Sequence, residues 1–179
     1  MASTDDSLAP PTFDGPAPRV LLVAAPFYRA IADDLIAGAR AVIADAGATD
    51  ELLEVPGALE IPTAIRLAQR HYDGFVALGC VVRGETTHYE TVCNDSSRGL
   101  TLLGLEGLCI GNGILTCENM DQARVRAAPG EMDKGGGAAA AALHLIALAR
   151  RFQGQPSDPG VPLPDDRILL AGAAPTRTA

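Results

Sequence analysis

Apolar residues in this chain come in short unbroken runs separated by longer amphipathic stretches. Arg19 to Ala25 (RVLLVAA) is the first run, with the length and aliphatic content of a strand buried on both faces. Pro26 ends it. Ile31, Leu35, Ala39, Val42 and Ile43 then recur at helical spacing, and Gly47 closes that helix. Glu51 to Val55 reads as a second strand cut by Pro56-Gly57. A helical pattern with Ile61, Ala64, Ile65 and Ala68 follows, Pro62 being tolerated in its first turn. Gly74 to Cys80 is the third strand. Thr87 and Glu90 have capping-box spacing, which starts the third helix at His88 with Tyr89, Val92, Cys93, Ser96 and Leu100 on its inner face. Leu108 to Leu115 is a fourth strand interrupted by Gly111 and Gly113. Thr116 then caps a short helix, acidic at its start (Glu118, Asp121) and basic at its end (Arg124, Arg126), as the helix dipole favours. Pro129-Gly130 breaks the chain, and Asp133-Lys134 opens a last helix reaching about Phe152.

Strand and helix alternate with no hairpin signal. This predicts an α/β fold, a four-stranded parallel sheet with helices on both faces. Residues 1–18, rich in Pro, Asp and Ser, read as a flexible N-terminal tail, 19–153 as the single domain, and 154–179 as a Pro/Gly-rich C-terminal tail broken by Ile168-Leu169-Leu170. The last helix is apolar on two sides: Leu143, Ile146 and Ala147 form one stripe, and Leu145, Leu148, Ala149 and Phe152 another. Four strands cannot cover both, so the surplus predicts a subunit interface, with Ala138 to Ala142 allowing close helix approach.

Charge and composition narrow the chemistry. A net charge of -8 argues against general nucleic-acid binding, so an anionic ligand would need a local cluster of cations. The four cysteines, Cys80, Cys93, Cys109 and Cys117, have no metal-ligand spacing and read as small buried hydrophobes in a reducing compartment. No metal is predicted. Acidic residues and prolines stand at the N-terminus where a signal peptide needs a basic and then an apolar segment. No segment is long and apolar enough to span a membrane. The expectation is a cytoplasmic protein without membrane partners.

Ligands of parallel sheets sit beyond the C-terminal strand ends. Four places are predicted to converge there: Phe27-Tyr28, Gly57 to Glu60, Val81 to His88, and Asn112 to Thr116. The third is the richest, a strand followed by a Gly-containing polar turn and a helix N-terminus, whose unpaired N–H groups and dipole favour an anion. Within it Arg83 either binds an anion or pairs with a carboxylate such as Glu85, and Gly84 permits a left-handed or tight backbone. Thr86 and Thr87 either cap the helix or face a ligand oxygen. His88 is a surface cap partner or a proton carrier. Glu60 is a first-turn acid or a ligand for hydroxyls. Arg126 and Lys134 are solvated charges or phosphate contacts, and Phe27 is core or a ring that stacks on a planar ligand.

Taken together, Val55–Pro62 (VPGALEIP), Gly79–Leu100 (GCVVRGETTHYETVCNDSSRGL), Asn112–Ala123 (NGILTCENMDQA) and Arg126 with Asp133–Gly135 resemble the lumazine synthases. These are the 6,7-dimethyl-8-ribityllumazine synthases of riboflavin biosynthesis. The likeness runs in order from about Arg19 to Phe152. It implies a single flavodoxin-like domain, in a homopentamer or a multiple of pentamers with sites between neighbouring copies. The implied reaction joins 5-amino-6-(D-ribitylamino)uracil to 3,4-dihydroxy-2-butanone 4-phosphate without a cofactor. By matching position His88 is the proton-transfer residue, and Glu85, Thr86 and Arg126 form the phosphate pocket. Phe27 stacks on the pyrimidine, Ala58, Leu59 and Glu60 meet the ring and ribityl chain, and Cys80, Val81 and Val82 offer backbone contacts. Arg126, Asn112 and Lys134 come from the adjacent copy, and Arg83 becomes a structural residue.

Three positions depart from the pattern that the resemblance implies. Asn112 stands where many members have Phe, Gly137 where many have an acid, and Pro26 where many have Arg. The first two bear on affinity and the third on local conformation; the acid–base and phosphate groups are all present. Two other functions share this type of fold, an archaeal-type riboflavin synthase and a non-catalytic flavin-binding or shell-forming protein. Intact Phe27, Thr86, His88 and Arg126 weigh against the latter.

Overall fold

The computed structural model describes residues 8–153. Strands β1 (Arg19–Ala24), β2 (Thr49–Glu54), β3 (Gly74–Val82) and β4 (Ile110–Cys117) form one parallel sheet in the order β2-β1-β3-β4. Helices α1 (Arg29–Asp45), α2 (Ile61–Ala68), α3 (His88–Leu105), α4 (Met120–Ala127) and α5 (Lys134–Gln153) complete a flavodoxin-like α/β arrangement. Strand alternation sorts the core into two layers. Val20, Leu22, Val76 and Leu78 pack with Ile31, Leu35, Leu143 and Ile146 of α1 and α5 on one face. Leu21, Val23, Phe75 and Ala77 pack with Ile61, Ile65, Leu100 and Leu103 of α2 and α3 on the other.

Where α5 crosses β4 the backbones nearly touch. A Cβ at Gly111 would run into the Ala138 carbonyl, and at the separate contact of α5 with α1 one at Gly135 would run into the Leu35 carbonyl. The strand glycines and the alanine tract therefore serve one close approach. Of the second apolar stripe of α5, Ala149 packs partly against the core and Leu148 is half-buried, while Leu145 and Phe152 are exposed among the described residues.

Several local expectations are corrected. β4 begins at Ile110 and runs through Cys117, because Gly111 and Gly113 are buried strand positions under α5 rather than interruptions. Thr116 is consequently a strand residue, and Asn119 caps α4, its side chain accepting from Gln122 N–H at 3.0 Å. β3 continues to Val82. α3 does start at His88, but the capping box is absent: Thr87 makes no side-chain cap, and Glu90 turns to Arg83 instead. Gly84 is not left-handed, the positive-φ glycines among the described residues being Gly15, Gly47 and Gly107, and a Cβ at Gly84 would meet nothing.

Residues 8–18 contain no helix or strand and lie along α5. Arg150 donates to the Pro16 carbonyl at 2.9 Å, with its guanidinium 5.3 Å from the Phe13 ring centre. The expected C-terminal tail, 154–179, lies outside the described residues, as do residues 1–7.

Candidate active site

The C-terminal ends of β1, β2 and β3 border a cleft of about 530 Å³, the location that parallel topology favours. Phe27 stands on its rim and stays 76% exposed. Its only aromatic neighbour is Tyr28, edge-on at 5.0 Å between ring centres. A large ring left in water beside a cleft offers a face to a planar ligand. Ala58, Leu59 and Glu60 form a 3-10 turn leading into α2 and line a second side. Cys80, Val81 and Val82, the last residues of β3, line the cleft between them.

Gly84, Thr86 and His88 line the remaining wall, joined by Tyr89 and Val92 of α3. His88 N–H donates to Thr86 Oγ1 over a long 3.4 Å. Among the described residues the side chains of His88 and Glu60 form no hydrogen bond or ion pair, so both can still engage a ligand. Of the expected site residues, Phe27, Ala58, Leu59, Glu60, Cys80, Val81, Val82, Thr86 and His88 are thus brought together in one chain. Glu85, between two lining residues, is exposed and does not line the cleft.

Asn112, Arg126 and Lys134 lie elsewhere. Asn112 sits mid-strand opposite Ala77, because β4 runs five residues past it. Its Oδ1 accepts from Ile114 N–H at 3.0 Å, and it borders a separate groove with Leu100, Thr101 and Leu145. Arg126, in the last turn of α4, donates to the Gln122 carbonyl at 3.2 Å. Lys134 is the exposed first residue of α5. Neither cation has a carboxylate within ion-pair distance among the described residues. Among the described residues no Arg or Lys lines the cleft, and Arg126 and Lys134 do not border it.

Two arginine clamps flank the cleft, and neither was evident from local sequence. Arg29, at the start of α1, grips Glu54 at the end of β2 through two bonds of 2.6 and 3.2 Å. That pairing holds the Glu54 carboxyl below the usual carboxylate range. On the other flank Arg83 donates to Glu90 and, at 2.8 Å, to Glu118, while its guanidinium lies 4.2 Å from the Tyr89 ring centre. The residue thus pairs with carboxylates, though not with Glu85. Glu90 lies only seven residues beyond Arg83, but the Arg29–Glu54 and Arg83–Glu118 pairs join residues 25 and 35 apart in sequence. The adjacency of β1 with β2 and of β3 with β4 is the only signal that could have found them.

Burial raises all four cysteine thiols above their ordinary value. All four are free, and Cys80, Cys109 and Cys117 are buried. Burial, then the neighbouring Cys117, pushes the Cys80 thiol up to about 12, leaving it protonated at neutral pH. Among the described residues no group of His, Cys, Asp or Glu is disposed to hold a metal, and no helix is long and apolar enough to cross a membrane.

Comparison with known proteins converges on one family. The family model described as 6,7-dimethyl-8-ribityllumazine synthase matches residues 17–150. A protein of that name from Jannaschia sp. (strain CCS1) is 54% identical over 151 residues, covering 83% of this chain and 84% of the relative. Relatives with the same name from Novosphingobium aromaticivorans and Erythrobacter litoralis are 54% and 52% identical over 136 residues. Each alignment covers 75% of this chain, and 98% and 97% of the respective relatives. The matched span takes in the whole sheet, the cleft and all but the end of α5, so the chain belongs to the 6,7-dimethyl-8-ribityllumazine synthase family.

Proposed function

We infer that the protein condenses 5-amino-6-(D-ribitylamino)uracil with 3,4-dihydroxy-2-butanone 4-phosphate, giving 6,7-dimethyl-8-ribityllumazine, phosphate and water in riboflavin biosynthesis. The observation that carries this reading is the family match over a cleft in which Phe27, Thr86 and His88 lie together. The exposed Phe27 ring suits stacking on the pyrimidine. Ala58, Leu59 and Glu60 suit the ring edge and ribityl chain, with Glu60 accepting from hydroxyls. Cys80, Val81 and Val82 offer backbone groups at the end of β3.

The phosphate belongs at the start of α3, where unpaired N–H groups and the helix dipole favour an anion. Thr86 contributes its hydroxyl. Glu85 acts through its backbone, because its carboxylate would repel phosphate. Arg126 supplies the charge-assisted contacts, and it, Asn112 and Lys134 serve the cleft of a neighbouring copy. This agrees with their separation from the cleft of their own chain, and a homopentamer or a multiple of pentamers provides the required neighbour. Four free cysteines suit a cytoplasmic setting.

In the reaction the substrate amine adds to the ketone carbonyl, and loss of water gives an imine. Elimination of phosphate and closure of the second ring, with loss of a further water, complete the product. His88 moves protons between these steps, and the cleft holds two substrates in register, which itself lowers the barrier. Incubating the protein with both precursors should release inorganic phosphate in step with the absorbance of the lumazine. Consumption of preformed lumazine alone, as by a riboflavin synthase, would overturn the assignment. So would flavin binding without phosphate release.

A further inference from the structure

The turn that carries Thr86 and His88 is weakly held by its own residues. Thr87 provides no side-chain cap, the Thr86 hydroxyl meets His88 N–H only at 3.4 Å, and Gly84 adds no side-chain packing. Arg83 supplies the missing restraint. Its backbone N–H donates to the Cys117 carbonyl at 2.9 Å, extending the pairing of β3 with β4 by one residue. Its side chain then reaches in two directions. Toward α3 it covers the Tyr89 ring and pairs with Glu90, the two residues that follow His88. Toward α4 its Nε donates at 2.8 Å to Glu118, which immediately precedes the Asn119 cap of the helix bearing Arg126.

We propose that Arg83 is a positioning residue for the condensation: bridging Glu90 and Glu118, it fixes His88 toward the cleft and sets the start of α4 relative to it. It does not touch the substrate itself. The planar guanidinium can serve two carboxylates and one ring face together, which an ammonium cannot reproduce.

This inference rests on the lumazine-forming activity proposed above, so wild-type turnover is measured first. Absence of turnover in the wild type would sink that reading and the inference with it. With an active wild type, Arg83→Gln should lower kcat by about 10- to 100-fold, the cost of a misplaced reacting group, while the protein stays folded by circular dichroism. KM for the phosphorylated substrate should change less than kcat. Arg83→Lys should recover only part of the loss. Glu118→Gln, which lies off the cleft, should lower kcat in the same sense. Combining it with Arg83→Gln should cost no more than Arg83→Gln alone, because Arg83→Gln already removes the contact that Glu118→Gln removes. Unchanged kcat in folded Arg83→Gln would show a purely structural role and overturn the proposal. A rise confined to KM for the phosphorylated substrate would also overturn it, identifying Arg83 as a phosphate ligand. If Arg83→Gln fails to fold, Glu118→Gln decides: normal kcat there contradicts the proposal.

Discussion

The two ends of the sheet treat their polar groups in opposite ways. At the N-terminal end Arg19, Glu51 and Asp73, on or beside the strands, are all committed to partners. Arg19 pairs with Glu51 at 3.1 Å and lies over the Tyr72 ring, and Tyr72 donates to Glu51 at 2.6 Å. Asp73 accepts from the Arg19 N–H at 2.8 Å and is approached by Arg150. At the C-terminal end the flanks are clamped, but the groups facing the cleft are not. His88, Glu60 and the Phe27 ring have no side-chain hydrogen-bond or ion-pair partner within the described chain, and Phe27 is among its most exposed large hydrophobic residues. On the proposed function, one end serves stability, while the other keeps groups free for ligand at some cost in stability.

Substitutions should separate the two ends, and the largest effects belong at the cleft. Arg126→Ala should raise KM for the phosphorylated substrate by about 10- to 100-fold through lost charge-assisted contacts, and far more than His88→Ala does. Steady-state kinetics with that substrate varied checks this; equal KM effects would contradict the roles given to the two residues. Phe27→Ala should weaken binding of the pyrimidine substrate by about tenfold, from one lost stacking contact, without lowering the melting temperature. A fall in both would place Phe27 in the core instead.

Smaller effects of the opposite kind are expected at the other end. Tyr72→Phe removes the bond to Glu51 and should lower Tm by about 2–5 °C, leaving both KM values unchanged. The acid response is subtler still. Tyr72 and then Arg19 hold the Glu51 carboxyl below its ordinary value of 4.5, and Arg29 does the same for Glu54. A depressed carboxyl contributes stability that is complete above about pH 4.5 and is lost as pH falls through its folded value. Both groups are solvent-exposed, so the contribution is small and screened by salt. Thermal melts between pH 6 and 3 should show a shallower acid decline in Glu51→Gln than in wild type. Parallel curves would mean that the pair contributes nothing.

How much of this was legible in the sequence depended on range. Hydrophobic runs and helical stripes were enough for the parallel sheet, because burial on both faces leaves its mark residue by residue at β1 and β3. Cleft residues adjoining a strand end, such as Phe27, Glu60 and His88, were legible for the same reason. β4 lies two residues further along than the apolar run Leu108 to Leu115, and its glycines Gly111 and Gly113 look like interruptions until α5 is seen lying against them. The capping box at Thr87 failed because Glu90 found a stronger partner in Arg83, a competition decided by tertiary structure. That Arg83 pairs with a carboxylate was one of two readings, but its pair with Glu118 and that of Arg29 with Glu54 were not legible, since each joins neighbouring strands through contacts that no local spacing encodes.

The central claim is that the cleft of one copy is completed by Arg126 of another, and mixing tests it most directly. Chains carrying Phe27→Ala with His88→Ala would be unfolded and refolded with chains carrying Arg126→Ala. In a closed ring assembled at random from equal amounts, about one quarter of the sites would pair an intact cleft with an intact Arg126. Turnover at low phosphorylated substrate should then rise toward about that fraction of wild type, well above the sum of the separate variants. Turnover no greater than that sum, in assemblies shown to contain both chains, would contradict a shared site.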